Sequence, residues 1–564
     1  MRKKTFLLAS LIFLIISIPA ISSGREKLVE IKIVNHAPPE KINRYYICNR
    51  TPLQPNPLIR LPVGHIEPGG WLLSQLQLVR DGFIGHLPEI SKFLEEDSGW
   101  LTLKGCGWEE MPYWLKGYGD LAYLLKEPDM ISVSQKWIEA ILRSRESDGY
   151  FGPVQNRMSN DLWPNMVALF CLQSYHDFSK DKHILDFMSK YFRYELNIPE
   201  EKFLPGSWQK LRGSENLESI YWLYNRTGEK WLLDLGHKIF RRTADWTSPI
   251  LTPDLKALHY LTAADLISCD SSGEQDFQNS RTLLFFDHWK YRCCQHNVAI
   301  GWSYLAEHLW LATSDEGVSA VIYRPATVEV GVGKRGQKVR IVEDTECPFD
   351  EKIMFTVYPE VSVDFPSYLR IPGWAEQAYV TVNEEKPARI NSPGRFSVLH
   401  RNWQNGDQVV LIFDEPIKIK FWEGTGRAVS VAHSPLWYFL EIKEGWTRYA
   451  GTDQWPAYED LPASPWNYAL VLNPENPSKN VRVVAKKSLS YQPFSLEVAR
   501  IVLEARVRRL PDWEPEGKMV GKVLVSPVLS KQPEETIRLV AMGCGRLRIT
   551  CFPWTKEKPC GGRG

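Results

Sequence analysis

The chain changes its periodicity once, and that change limits what it can fold into. From about residue 71 to 312, apolar residues recur at three- and four-residue spacing, the mark of helices with one buried face. Segments 71–79, 113–125, 132–142, 166–175, 215–224, 230–242 and 298–311 carry this pattern. Short links such as SDGYFGP at 147–153 separate them, so consecutive helices are expected to pair antiparallel, as in helical toroids. After Ser319 short β-branched segments take over, at 321–323, 328–332, 339–342, 353–357, 379–382, 409–413 and 428–432. These predict antiparallel sandwiches. A Pro-rich stretch, 456–477, precedes a last unit with strands expected at 481–485, 496–505, 522–525 and 547–552. The expected fold is α + β and multidomain. It comprises a helical toroid over 24–318, β-sandwiches over 319–455 and 456–554, and a tail over 555–564.

The 564 residues are 44% hydrophobic, enough for large cores, and the net charge of +1 gives no field that would draw nucleic acid or an anionic membrane. Arg2, Lys3 and Lys4 precede an apolar run over 6–16 and then Pro19-Ala20-Ile21-Ser22. That is the pattern of a secretory signal peptide, and the run is shorter than the ~20 residues that span a bilayer. Residues 1–23 are expected to be removed and the mature protein to be secreted or periplasmic, without membrane contact. The ten cysteines show no regular disulfide framework. Asn49 and Asn225 head glycosylation sequons, which matter in a glycosylating host.

Three stretches carry candidate chemistry. YRCCQHN, 291–297, places Cys293 and Cys294 just before the helix expected from Val298. Thiolates there serve as nucleophiles or soft metal ligands, or the pair is structural. A vicinal pair, with Cα atoms about 3.8 Å apart, closes a disulfide only with strain. GCGWEEMPYWLKGYG, 105–119, gathers Glu109, Glu110, Tyr113, Trp114 and Tyr118. Carboxylates beside aromatic rings suit a sugar site; acids at a helix start are the plainer reading. NDLWPNM, 160–166, sets Asp161 and Trp163 ahead of a helix, as sugar contacts or as a cap and a core residue. His86 is a further candidate among the histidines of the helical half. No phosphate-binding loop, HExxH motif or nucleophile elbow is present.

Taken in order, GGWLLSQLQLVRDGFIGHLPE, WEEMPYWLKGYGDLAYLL, DGYFGP, DLWPNMVAL, NRTGEKWLLDL, ALHYLTA, YRCCQHN with GWSYLAEHLWLAT, LRIPGWA, LHRNWQNGDQVVL and CGRLRITCFPW resemble glycoside hydrolase family 127, the β-L-arabinofuranosidase-like proteins. The resemblance spans roughly residues 55 to 554. It implies an (α/α)6-barrel followed by β-sandwiches and a plant-type glycan as substrate. It also implies retaining hydrolysis by Cys293 as nucleophile, with Cys293 and Cys294 binding zinc. Glu109, Glu110, Tyr113, Trp114, Asp161, Trp163 and His86 are the expected sugar contacts. The family's zinc site also uses a Glu-x-Cys pair, and no such pair occurs between residues 100 and 292; the acid/base glutamate has no counterpart either. A ring of six hairpins needs twelve helices, whereas the pattern yields nine or ten. The chain therefore reads as a member with an internal deletion near Ile250-Leu251. Glu274 is a further carboxyl that could replace the lost acid. The functions in contention are an exported glycoside hydrolase, a carbohydrate-binding remnant without chemistry, and a structural role for the sandwiches.

Overall fold

A computed structural model describes residues 29–104, 107–244, 283–285, 292–454, 456–516 and 519–557. The signal segment, the joint at Ile250-Leu251, Glu274 and the side chains of Cys293 and Cys294 lie outside the described residues.

The helical part is built from hairpins with a common turn. Helices α1 (Gly70–Asp81), α2 (Glu110–Leu125), α3 (Pro128–Arg143), α4 (Trp163–Ser179), α5 (His183–Asn197), α6 (Glu215–Thr227), α7 (Trp231–Arg242) and α8 (Arg292–Glu307) are its longer elements. Helices α2, α4 and α6 stop in the same way. The next residue (Lys126, Lys180 or Gly228) takes the left-handed conformation and sends its N–H back to a carbonyl of the last turn. The return helix starts within three residues, so each inner helix is followed at once by an outer one.

Side-chain pairs fix the directions. Glu109 meets Trp163, and Lys116 further along α2 meets Ser174 further along α4. Gln173 meets Ser219, and Asp177 meets Arg226. Gly117 packs on Ala299, and Ser303 reaches the Gly117 carbonyl. Asp120, further along α2, meets Glu307, further along α8; contacts advance together along each pair, so α2, α4, α6 and α8 run parallel and start at one end. At Gly117 a Cβ would lie 2.7 Å from the Ala299 Cβ, so glycine is what lets α2 and α8 approach this closely. Helices α2 and α4 are buried on nearly all sides, as inner-wall helices must be.

The strands form sheets that alternate buried and exposed positions, as in Ala326–Val332. One six-stranded and one seven-stranded sheet share a continuous core with the helices, while an eight-stranded sheet near the C-terminus has its own. Among the described residues pairing is antiparallel except where Val318–Ala320 lies beside Val363–Arg370 and Tyr468–Leu472 beside Trp554–Lys556. Both larger sheets near the helices recruit strands from before α1. Leu58–Arg60 pairs with Trp310–Thr313, and Ile66–Pro68 with Ala326–Val332.

Several expected elements differ. The helix expected over 298–311 is α8, which begins earlier, at Arg292, and ends at Glu307 because Trp310–Thr313 is claimed by two neighbouring strands. Segments 321–323 and 522–525 are not strands, and 547–552 contributes only the Val429–Phe552 bridge. The strand expected from 496 begins at Ile501. The Pro-rich stretch contains two strands, Pro456–Pro462 and Tyr468–Leu472, with prolines at the ends of the first, where a missing N–H is tolerated. Thr555 and Lys556, expected in the tail, complete the eight-stranded sheet.

Candidate functional site

Because the inner helices are parallel, their N-terminal ends form one rim, and most of the expected contact residues lie there. Glu109, immediately before α2, is buried and accepts a hydrogen bond from Trp163 Nε1 at the start of α4. Asp161 accepts from the Trp163 backbone N–H at 3.0 Å and from Trp108 Nε1 at 2.8 Å, so one carboxylate fixes two tryptophans. Tyr113 packs edge-on to Trp163 with ring centres 6.1 Å apart. Trp208, on the short helix Ser207–Arg212, stands perpendicular to Trp163 at 6.4 Å and tilted to Trp108 at 6.5 Å. The Arg212 guanidinium lies 4.8 Å from the Trp208 ring centre and 5.1 Å from that of Trp163, and donates to Glu215 Oε1 at 2.9 Å. Trp163 is fully buried, while Trp208 is 40% exposed, so Trp208 offers the open aromatic face.

The other expected contacts lie elsewhere. Glu110 is buried in the first turn of α2. Trp114 turns outward, stacked on Tyr118 at 4.5 Å, edge-on to Trp137 of α3, with Nε1 donating to the Ile84 carbonyl. It packs inner against outer helix. His86 pairs with Glu89 at 2.6 Å on a short helix behind α2. Cys293 and Cys294 occupy the first turn of α8, inside the helix and not before it. By register Cys293 is two turns before Ile300.

Beneath the rim a cavity of about 200 Å³ lies between the inner helices. Tyr113 and Lys116 of α2, Gln173 of α4, Glu215 and Glu218 of α6, and Ile300 and Tyr304 of α8 line it, with Arg60. Lys116 bonds Asp120 and Ser174, and Arg60 bonds Glu307 at 2.7 Å. Burial pushes the Glu307 carboxyl up to about 7, helped by Asp120 beside it and opposed by Arg60 and Lys116. A raised carboxyl pKa means that Glu307 contributes fully to stability below its ordinary value of 4.5, and that the contribution is lost as pH rises through about 7. The buried Glu195, also raised to about 7, has the same sign, while His65 and His308, held below the ordinary histidine value by burial, act the other way. Relative to the unmodified protein, Glu307→Gln is therefore expected to gain in melting temperature between about pH 5 and about pH 7.5. A difference that stays flat with pH would show that Glu307 titrates normally.

The expected zinc site is overturned. Among the described residues no three His, Cys, Asp or Glu side chains are grouped so as to hold a metal ion. Of the described groups, Glu109 accepts from Trp163, and His296 pairs with Ser91 Oγ at 2.7 Å with Phe93 edge-on to its ring. Zinc usually takes four ligands, and a vicinal cysteine pair supplies two. Cys48, Cys171, Cys347 and Cys544 are free thiols.

Sequence reasoning missed Trp208, Arg212, Glu215 and Lys116. The signal for the first two was a Trp–Arg pair at i, i+4, the spacing that stacks a guanidinium on a ring within one helical turn.

Residues 36–267 match the catalytic domain of the GH127 β-L-arabinofuranosidases, and residues 317–415 match their middle domain. No curated protein matches the chain. Among solved structures, a GH127 β-L-arabinofuranosidase from Geobacillus stearothermophilus T6 superposes with a TM-score of 0.58 at 15% identity, over 87% of this chain and 100% of that one. A glycoside hydrolase gives 0.60 at 14%, over 90% and 100%, and a GH127 β-arabinofuranosidase gives 0.55 at 13%, over 89% and 99%. At such identities the likeness is one of fold. The two domain matches, which follow one another in the order of the helical and strand-rich parts, together span more than half of the residues, and the chain belongs to glycoside hydrolase family 127, the β-L-arabinofuranosidases.

Proposed function

We propose that this protein is an exported glycoside hydrolase that holds the non-reducing end of a β-L-arabinofuranosyl glycan at the inner-helix rim and hydrolyses it slowly. The parallel inner helices are read as the wall of an (α/α)-toroid whose mouth is that rim. The observation that carries the proposal is the rim itself: an open Trp208 face, a guanidinium on its flank and fixed carboxylates, above a lumen with polar walls. Aromatic rings pack on the apolar faces of sugars, and the charged groups meet their hydroxyls. Export rests on the N-terminal sequence pattern.

The chemistry is assigned to Cys293 by family membership. Its sulfur attacks the anomeric carbon, the glycosidic C–O bond breaks, and the leaving oxygen takes a proton from water. Water then displaces the sulfur, and configuration is retained. The start of α8 favours ionisation of the thiol, since the helix field there stabilises a negative charge. Lacking the family's acid/base glutamate, the reaction also forgoes help typically worth about 10²–10⁴ in rate. The expected result with a chromogenic β-L-arabinofuranoside is slow turnover, unchanged by a chelator and abolished by Cys293→Ala. Trp208→Ala should weaken sugar binding about tenfold, the loss of one aromatic contact. Binding without any Cys293-dependent turnover would instead make the chain a carbohydrate-binding member of its family.

A further inference from the structure

The C-terminal sheet carries a second pair of tryptophans that the rim does not use. Strands Ile417–Trp422, Ala428–His433 and Leu436–Leu440 lie side by side at one edge of the eight-stranded sheet. One face of the middle strand sends Val429 and Val431 into the core. Its other face carries Ala428, Ser430 and Ala432 in alternation, with Trp422 opposite Ala428 and Trp437 opposite Ala432. The two indoles therefore stand on opposite sides of a floor of small side chains, on the face opposite Val429 and Val431; Ala428 and Ser430 of that floor are buried, and Phe439, further along the same face, belongs to the core. Their ring centres are 6.4 Å apart and their planes are inclined by 39°. Trp422 is held in place by its Nε1, which donates to Ser430 Oγ at 2.9 Å, and Trp437 is 40% exposed. Lys420, on the same face two residues before Trp422, lies 5.3 Å from the Trp422 ring centre.

We propose that this face is a glycan-binding platform, separate from the rim, which takes two neighbouring residues of a neutral polysaccharide chain. Two inclined rings at this spacing offer successive apolar faces to successive sugars, and Lys420 supplies a donor to hydroxyls at their edge. A protein partner would need a larger apolar centre than two rings flanked by lysine and by the Glu423–Gly424 turn. The occupant class rests on the reading that the protein acts on glycans, but the site does not depend on the rim being catalytic.

The test is affinity electrophoresis and calorimetry of the full chain with soluble arabinan and with a monosaccharide glycoside. Trp437→Ala is expected to weaken arabinan binding about tenfold while leaving the monosaccharide glycoside unaffected, and Trp208→Ala to do the reverse for the monosaccharide. Trp437→Phe, which keeps an aromatic face, should recover most of the polymer affinity and controls for misfolding. Arabinan binding that is unchanged in Trp437→Ala overturns the platform, whether or not the rim binds sugar. If the unmodified chain retains no arabinan but does bind the monosaccharide, the platform fails and the rim stands. If it binds neither, both fail.

Discussion

Trp163→Ala is expected to be among the most damaging single changes in the helical unit, its cavity alone lowering stability by about 3–5 kcal/mol. The indole is fully buried between the starts of α2 and α4, in contact with Tyr113 and Trp208, so truncation opens a cavity at a junction of several elements. A second cost adds to the first. Trp163 Nε1 serves Glu109, which is itself buried, and a buried carboxylate that loses one of its donors carries a desolvation penalty of about 1–3 kcal/mol. The two parts are separable. Trp163→Phe refills most of the space but donates nothing, so its cost should approximate the second part alone. Adding Glu109→Gln should relieve it, since a neutral amide is cheaper to bury. Chemical denaturation with midpoints compared at constant slope measures all three. Equal stability of Trp163→Phe and the unmodified protein would show that the Glu109 bond contributes nothing.

Lys116→Met is expected to cost about 3–5 kcal/mol, the loss seen when one partner of a buried ion pair is removed. Lys116 lies between Asp120 and Ser174 and faces the Glu307 carboxyl, so the variant leaves two carboxylates to Arg60 alone. Neutralising the orphan should help. Lys116→Met combined with Asp120→Leu replaces the pair by apolar groups of similar bulk, an exchange that is often neutral or stabilising. The double variant should therefore be clearly more stable than the single one by thermal or denaturant unfolding. Additive losses would mean that the two residues do not interact.

The helices were legible because their signal is local. A buried stripe at 3.6-residue spacing needs no knowledge of the partner, although the periodic segments 166–175 and 215–224 stop short of the ends of α4 and α6 at Ser179 and Thr227. Three-residue strands such as Lys32–Val34 and Leu58–Arg60 were not legible. They exist only because Phe396–Trp403 and Trp310–Thr313 offer them an edge, and that offer is made from more than two hundred residues away. The same division runs through the site. Glu109, Asp161 and Trp163 sit at helix starts and were marked by position. Trp208 and Arg212 belong to a six-residue helix too short for a period to show, and become part of the rim only through the rings they touch. Trp114 shared a motif with Glu109 but faces outward, because five residues along a helix is more than a full turn. The zinc expectation had only a vicinal cysteine pair, two possible ligands, as its local basis. The rest came with the resemblance, and the described residues supply no ligand set for it.

The pairing of Leu58–Arg60 with Trp310–Thr313 brings together the chain just before α1 and the chain just after α8. The helical unit thus leaves the strand-rich part and returns to it through adjacent doors, and the frame of those doors is a sheet that does not depend on how many hairpins lie beyond. A unit anchored at both ends in this way can gain or lose a hairpin over evolutionary time without pulling its foundations apart, since the entropic cost of the excursion grows only logarithmically with its length. It also sets how the molecule can be dissected. A fragment cut at residue 318 would strip the six-stranded sheet of Trp310–Thr313 and Leu58–Arg60 at once, whereas excising everything between those two strands and joining them by a short turn would keep the sheet whole.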